Sequence, residues 1–282
     1  MDAAKTWMLI SLLLASPASA VIIDIGDGTG NTSAPADDPG WANVGTVNGA
    51  TAVYIGDNWV LSAGHVGVND TTFEGVTYTP VPGTYTKIER VDPETGRIRR
   101  IDLGMWQIQG YVELPGLWIS EEGAMVGDEV LMIGHGKDRG AEFSCDGHDG
   151  YRWGAGNTMR WGEEEVMLVK PGRWMATEFQ PPDGSAAANG DSGGAVFIKV
   201  DGEWELTGII ASRGLFNCQW DGARNTSLYG NRAFSVDLAT WKPAIEEVIA
   251  LPEPSQSYQL AVGILAIGMM SLVRRKHASL HP

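Results

Sequence analysis

The chain has 282 residues, a formal net charge of −15, 37 glycines and two cysteines. An acidic surface repels phosphate backbones, so this charge argues against a nucleic-acid-binding protein. The glycine count favours many tight turns, and therefore an all-β protein over a helical one. No group of cysteines and histidines has the spacing of a zinc site, and we expect neither a metal nor a cofactor.

Residues 1–20 have the features of a secretory signal peptide. Lys5 precedes an apolar stretch that begins at Trp7, and Ala18-Ser19-Ala20 is a small-x-small cleavage pattern. A buried N-terminal helix is the alternative, but the run is short and loop-like sequence follows it at once. We predict export, cleavage after Ala20 and a new N-terminus at Val21.

Residues 21–40 are rich in Gly, Asp, Pro, Ser and Thr, which predicts an irregular arm before a folded domain over residues 41–250. The first strong pattern in that domain is a hairpin from Thr51 to Ser62, with its turn at Gly56-Asp57-Asn58. Residues 129–134 and 165–169 are further strand candidates.

A second hairpin is predicted over residues 195–210, because Asp201-Gly202 suits a type I′ turn between two apolar strands. Residues 240–250 then have a helical pattern, with Trp241, Ile245, Val248 and Ile249 on one side.

Residues 251–282 form a tail of different composition. Leu251-Pro252-Glu253-Pro254-Ser255 is followed by an apolar run over residues 260–273 and by Arg274-Arg275-Lys276. Such a basic cluster is typical of a chain that stops at an anionic cytoplasmic surface, although a spanning helix needs about 20 residues. The tail resembles the PEP-CTERM sorting signal of Gram-negative bacteria.

That resemblance implies membrane contact through the tail and then removal of the tail by an exosortase-like processing enzyme. The protein would lie in the cell envelope or outside the cell. A plain single-span anchor is the alternative, and in both cases the folded body lies outside the cytoplasm.

The serine of Gly190-Asp191-Ser192-Gly193-Gly194 is the candidate nucleophile. A nucleophilic serine needs a sharply turned, exposed backbone and nearby N–H groups that stabilise an oxyanion. Flanking glycines permit that turn, and the amides of Gly190 and Ser192 could converge on one oxygen. The same letters fit the nucleophile elbow of α/β-hydrolases, in which the catalytic histidine follows the serine.

The histidines exclude that elbow, because the only ones after Ser192 are His277 and His281 in the tail. His65 is the best candidate for the general base, since it directly follows the apolar strand that starts at Trp59. His135 and His148 are more simply interpreted as surface loop residues.

Asp102 is the candidate third member of the site. It stands among apolar neighbours in Ile101-Asp102-Leu103-Gly104-Met105, and a partly buried carboxylate needs a partner such as a histidine N–H. A turn or an edge position is the alternative explanation for this aspartate.

Three motifs, in order, resemble those of the trypsin-like serine peptidases. Trp59-Val60-Leu61-Ser62-Ala63-Gly64-His65 resembles the histidine motif, residues 101–105 resemble the aspartate motif, and residues 190–194 are the serine motif without change. The resemblance spans about residues 45–250. It implies two six-stranded antiparallel β-barrels with the triad between them, a short C-terminal helix, and protein or peptide substrates.

The resemblance also implies a substrate pocket formed by Ala186, Ser212, Arg213, Gly214 and Arg232. Trypsins have an acid at the position of Ala186, so the sequence does not support a preference for Lys or Arg. An arginine at 213 or 232 that reached the pocket would favour acidic substrate side chains; surface arginines are the alternative.

Two further departures concern Asp191 and the cysteines. In activated trypsins a new N-terminus pairs with the aspartate before the serine, here Asp191, but no clear activation site is present. Cys218 lies where a pocket-wall cysteine is expected, and its usual partner position is Ala188. Cys145 is the only other cysteine and therefore the candidate partner of Cys218 in the exported protein, and the sequence leaves open whether the two are bonded.

A secreted serine endopeptidase with His65, Asp102 and Ser192 as its triad is the function that these motifs favour. A catalytically inactive surface binding module on the same fold and a surface esterase with the same triad are the alternatives.

Overall fold

The computed structural model describes residues 21–91 and 95–250. The predicted signal peptide and tail lie outside the described residues. Within the described ranges no helix is long and apolar enough to cross a bilayer.

The described residues form eighteen strands and two α-helices, with one 3-10 turn at Trp41–Asn43. The strands of the first half are β1 (Ile22–Ile23), β2 (Val44–Val47), β3 (Ala50–Gly56), β4 (Trp59–Ser62), β5 (Thr71–Phe73), β6 (Val76–Tyr78), β7 (Thr86–Val91) and β8 (Ile98–Gln107). Those of the second half are β9 (Glu129–Gly134), β10 (Arg139–Cys145), β11 (His148–Trp153), β12 (Arg160–Lys170), β13 (Trp174–Glu178), β14 (Ser185–Ala186), β15 (Ala195–Val200), β16 (Glu203–Gly214), β17 (Thr226–Leu228) and β18 (Arg232–Asp237). The helices are α1 (Asn217–Trp220) and α2 (Leu238–Ile249).

The second half contains a closed six-stranded antiparallel barrel, in the order β12-β13-β18-β16-β15-β9. The all-β class and one of the two predicted barrels are therefore confirmed. At the predicted turn between β15 and β16, Asp201 and Gly202 have φ values of 51° and 90°, as a type I′ turn requires.

The first half differs from the predicted second barrel, because its strands form an open seven-stranded sheet in the order β6-β5-β2-β3-β4-β8-β7. Among the described residues its edge strands, β6 and β7, do not pair with each other. Pro80 and Pro82 lie between these strands and lack a backbone N–H, so the ladder cannot continue there. Pro80 makes only an isolated bridge to Ile108.

The two halves share one apolar core, which includes Leu61 and Met105 from the first half and Phe197 and Ile209 from the barrel. Helix α2 closes this core with Trp241 and Ile245, which are 1% and 0% exposed. The predicted helix is confirmed and begins two residues earlier, at Leu238. A common core thus joins the two halves.

The N-terminal arm is more ordered than its composition predicts. Its first three residues, Val21, Ile22 and Ile23, are buried, and β1 pairs with β14 through Ile22 opposite Ala186 and Ile23 opposite Ser185. The remainder, to Gly40, is irregular as predicted.

Candidate active site

Strand register places His65 beside Asp102. Strands β4 and β8 are antiparallel neighbours, with Ser62 opposite Gly104. If that register is continued past the end of β4, Gly64 falls opposite Asp102 and His65 comes next. An ideal Cβ on Gly64 would lie 3.1 Å from the Asp102 Oδ1 atom, so the two strands approach closely here.

The three predicted triad residues form a continuous chain of hydrogen bonds. His65 approaches the Asp102 carboxylate twice, through its backbone N–H to Oδ1 at 2.8 Å and through Nδ1 to Oδ2 at 2.7 Å. The other ring nitrogen, Nε2, lies 3.0 Å from the Ser192 Oγ atom. The side chains of His65 and Asp102 are 50% and 40% exposed, so the site is open to a substrate.

Tyr85 supports this pair and has no signal in the sequence motifs. Its hydroxyl donates to the Gly64 carbonyl at 3.1 Å, directly before His65. Burial, and then the negative charge of Asp102, raise the pKa of Tyr85. The phenol therefore stays neutral and holds the Gly64 backbone against β8.

The other described histidines do not contact Ser192. Burial lowers the pKa of His135 to about 4, and its backbone N–H donates to the Thr51 hydroxyl at 2.9 Å. His135 lies in the loop after β9, as predicted, and is half-buried there. His148 stacks on Phe216 with 3.6 Å between ring centroids.

Two glycines allow the sharp turn at the nucleophile. Gly193 has φ 88°, and a Cβ there would lie 1.9 Å from the Thr51 carbonyl oxygen and 2.2 Å from the Ser62 hydroxyl. Gly190 has φ 105°, and its Cβ would lie 2.7 Å from the His135 carbonyl oxygen. Both the conformation and the space exclude a side chain at these positions.

Thr51 connects the first half of the molecule to this turn. It is fully buried; its hydroxyl donates to the Gly190 carbonyl at 2.8 Å and its backbone N–H donates to the Ser192 carbonyl at 3.0 Å. Sequence patterns predicted a strand at Thr51 but gave no sign of these contacts, because the partners are about 140 residues away along the chain.

The two predicted oxyanion donors are the backbone N–H groups of Gly190 and Ser192. Within the described part of the chain neither donates to a backbone carbonyl, whereas the neighbouring Asp191 and Gly193 amides do, to Ala188 and Ile210. Both N–H groups thus have no backbone acceptor among the described residues, as the predicted role of oxyanion donor requires.

The carboxylate of Asp191 points away from the cleft into the protein. It accepts hydrogen bonds from the backbone N–H groups of Gly136 at 2.6 Å, Ala188 at 2.7 Å and Val21. Complete burial raises the pKa of Asp191 to about 7, against the opposing effect of these bonds. Gly134 has no room for a side chain beside the same carboxylate, since a Cβ would lie 2.2 Å from it.

The predicted substrate pocket begins at Ala186, which is 5% exposed and packs with Ile22 and Phe179. The next residues, Ala187 and Ala188, are also buried alanines. This wall therefore presents no charge to a substrate side chain.

The two arginines of the predicted pocket are both engaged by protein groups. The Arg213 guanidinium donates to the carbonyls of Thr226 at 3.2 Å and Arg224 at 2.5 Å and lies 4.2 Å from the Trp153 ring. Burial lowers the pKa of Arg213 to about 10. Arg232 pairs with Glu178 at 2.9 Å. An acidic substrate side chain would have to compete with these partners.

Ser212 and Gly214 lie near the end of β16, in register with Phe234 and Arg232 of β18. Beyond them is a groove of about 580 Å³, lined by Gly214, Phe216, His148 and the Glu178–Arg232 pair. The candidate disulfide between Cys145 and Cys218 is present and ties the β10–β11 hairpin to α1 beside this groove.

A comparison with protein families matches residues 28–226 to the trypsin family. The chain belongs to the trypsin family. No curated protein matches it. The match includes all three triad positions and ends before β18 and α2. As a member of this family the chain has the scaffold of a serine peptidase, a hydrolase that acts on proteins.

Proposed function

We propose that this trypsin-family protein is an exported serine endopeptidase in which Ser192 is the nucleophile, His65 the general base and Asp102 the residue that orients the histidine. The observation that carries the proposal is the hydrogen-bonded chain Asp102–His65–Ser192, with contacts of 2.7 and 3.0 Å. We also propose that the open sheet of the first half is the counterpart of the first barrel of the fold.

The reaction proceeds through an acyl-enzyme. His65 Nε2 takes the proton of Ser192 Oγ as that oxygen attacks the scissile carbonyl carbon, and the Gly190 and Ser192 amides stabilise the oxyanion. His65 then protonates the leaving amine, and the C–N bond breaks. Water, deprotonated by the same imidazole, attacks the ester and releases the acid and Ser192. Asp102 stays ionised and holds the ring tautomer.

For the residue before the scissile bond, we propose an apolar side chain of small to moderate size. Ala186, Ala187 and Ala188 supply no carboxylate, so burying a lysine or arginine there would leave its charge unpaired. An acidic substrate side chain is disfavoured, because Arg213 and Arg232 already bind protein groups.

For maturation, we propose that cleavage after Ala20 frees the Val21 amine. A buried, ionised Asp191 costs stability as the pH rises from about 4 to 7, because its folded-state pKa is raised. An ammonium group at Val21, whose N–H already points at that carboxylate, would offset the cost until it loses its proton near pH 8.

For location, we propose the cell envelope or extracellular space of a Gram-negative-type bacterium. The Pro-Glu-Pro, apolar and arginine-rich order of residues 251–282 supports processing by an exosortase-like enzyme. Mass spectrometry of the secreted protein would detect loss of the tail, and a tail that stayed intact would favour the single-span anchor.

The test of the proposed activity is cleavage of a peptide library by the exported full-length chain, beside Ser192→Ala and Asp102→Asn. We expect cleavage after apolar residues, none with Ser192→Ala, and a loss of about 10³–10⁴ in kcat with Asp102→Asn. Hydrolysis of small esters but of no peptide would favour the esterase, and a folded protein that cleaves neither would favour the inactive binding module.

A further inference from the structure

The first buried residues of the arm are attached by very little regular structure. Strand β1 has only two residues and pairs with a two-residue partner, β14. A ladder this short is weak on its own. Yet β14 leads directly into Ala186–Ala188 and the nucleophile turn, and Val21 reaches the Asp191 carboxylate. Burial of Val21, Ile22 and Ile23 adds apolar contacts, which are non-directional, so a directional attachment must come from other groups.

The side chain of Asp24, directly after β1, provides that attachment. Its Oδ1 atom accepts a hydrogen bond from the Tyr151 hydroxyl, and the Tyr229 hydroxyl lies 2.9 Å from the same Tyr151 oxygen. The Arg139 Nη1 atom lies 3.8 Å from the Asp24 Oδ1 atom, and the Arg139 Cζ atom lies 3.8 Å from the centre of the Tyr151 ring. Asp24 and Arg139 are only 10% and 13% exposed.

These partners also hold the backbone around Asp24. The Asp24 N–H donates to the Gly184 carbonyl at 2.8 Å, and Arg139 donates to the carbonyls of Ile23 at 3.3 Å and Gly26 at 3.1 Å. The hairpin that carries Arg139 and Tyr151 is itself fixed to α1 by the disulfide. The arm is thus clamped to the β10–β11 hairpin and to Gly184, just before β14.

We propose that Asp24 is a positioning residue, which seats Val21 against Asp191 and so sets the fraction of molecules whose nucleophile turn and pocket wall are formed. The inference rests on the proposed function for its catalytic consequence. It adds a second attachment point, separate from the Val21 amine, because the Asp24 carboxylate contacts side chains of a different hairpin.

The test compares Asp24→Ala with Asp27→Ala in the exported full-length chain. Asp27 is a matched control, because it lies in the same arm, is fully exposed, and hydrogen-bonds to Thr29 of that arm. The readouts are the rate of labelling by a fluorophosphonate and the alkaline limb of kcat between pH 7 and 10, with the N-terminal sequence of each protein verified.

For Asp24→Ala we expect labelling about tenfold slower at pH 8, because buried hydrogen bonds to a charged group are lost. We also expect the alkaline midpoint to fall by about one pH unit. A weaker attachment tolerates less loss of the Val21 ammonium before the arm leaves its site. If the substitution lowered only the thermal stability, the labelling rate and the alkaline midpoint of kcat would equal those of the wild type.

Tyr151→Phe keeps the ring against Arg139 and removes only the hydroxyl, so it serves if Asp24→Ala does not fold. We expect a smaller effect in the same direction. If Asp24→Ala and Tyr151→Phe both had the labelling rate and the alkaline midpoint of the wild type, the proposed role of Asp24 would be overturned. A wild type that was not labelled would overturn the proposed function instead. In that second case hydrogen exchange over residues 186–191 decides: faster exchange in Asp24→Ala than in Asp27→Ala supports the positioning role, and equal exchange contradicts it.

Discussion

The two halves of the molecule position the residues of the proposed triad in different ways. The first half places His65 and Asp102 mainly by strand register, since both follow from the β4–β8 pairing. The second half places Ser192 on a turn, which register does not fix. That turn is held from outside by Thr51 and by Val21 of the N-terminal arm. The comparison predicts that the nucleophile side of the site is the more sensitive to distant changes.

The strongest test of this contrast is Gly193→Ala. Its Cβ would meet the Thr51 carbonyl at 1.9 Å, so the turn must move away from the first half. We expect peptide hydrolysis to fall by at least about 100-fold, because displacing Ser192 by even 1 Å is costly. Gly202→Ala is the control: its φ of 90° is nearly the same as that of Gly193, but nothing lies within 4 Å of its Cβ. Equal losses in both variants would mean that backbone strain alone explains the effect.

A smaller effect is expected from Thr51→Val, which keeps the shape and removes the hydroxyl. The Gly190 carbonyl and the His135 N–H would lose their partner, which predicts a fall of about tenfold in kcat with little change in KM. Thr207→Val is a matched control, since the Thr207 hydroxyl is buried and has no hydrogen-bond partner among the described residues. If Thr51→Val retained full kcat, the link between the halves would be structural only.

The smallest effect concerns Glu164 on β12, which accepts a hydrogen bond from the Ser185 N–H at 2.7 Å and so supports β14. Burial raises the pKa of Glu164 to about 7. The folded state therefore binds the proton more tightly than the unfolded state, and stability is lost as the pH rises from about 4.5 to 7. Glu164→Gln removes this loss and can still accept the bond.

We expect the Tm of Glu164→Gln, relative to the wild type, to rise by roughly 5 °C between pH 5 and pH 8. The exposed neighbour Glu163→Gln should give a Tm difference that does not change with pH. A pH-independent difference for Glu164→Gln would contradict the assignment of an uncharged acid beneath β14.

Sequence reasoning reached the triad because its members stand in short motifs whose local pattern reports their chemistry. It also predicted the hairpins at residues 51–62 and 195–210, where the turn residues select one backbone conformation. Whether the first sheet closes into a barrel could not be predicted in the same way, because closure requires the edge strands β6 and β7 to pair, and no local sequence pattern reports that pairing. The sequence shows Pro80 and Pro82, but they interrupt strand pairing only if they lie between the two edge strands of the sheet, and the sequence does not show that position.

The same limit explains the residues that were missed. Thr51, Tyr85 and Asp24 act through partners between 21 and 139 residues away, and no periodic pattern marks such contacts. Arg213 shows the reverse case. Its position suggested a pocket residue, whereas its guanidinium is held by two backbone carbonyls and the Trp153 ring.

The central claim is that Ser192 is activated by His65 across the 3.0 Å contact. The most direct measurement is fluorophosphonate labelling of the exported protein at neutral pH, with the adduct located by mass spectrometry, in the wild type and in His65→Ala. The account predicts a single phosphonylated residue, Ser192, in the wild type and a rate at least about 1000-fold slower in His65→Ala. An adduct on another residue, or equal labelling without the histidine, would contradict it.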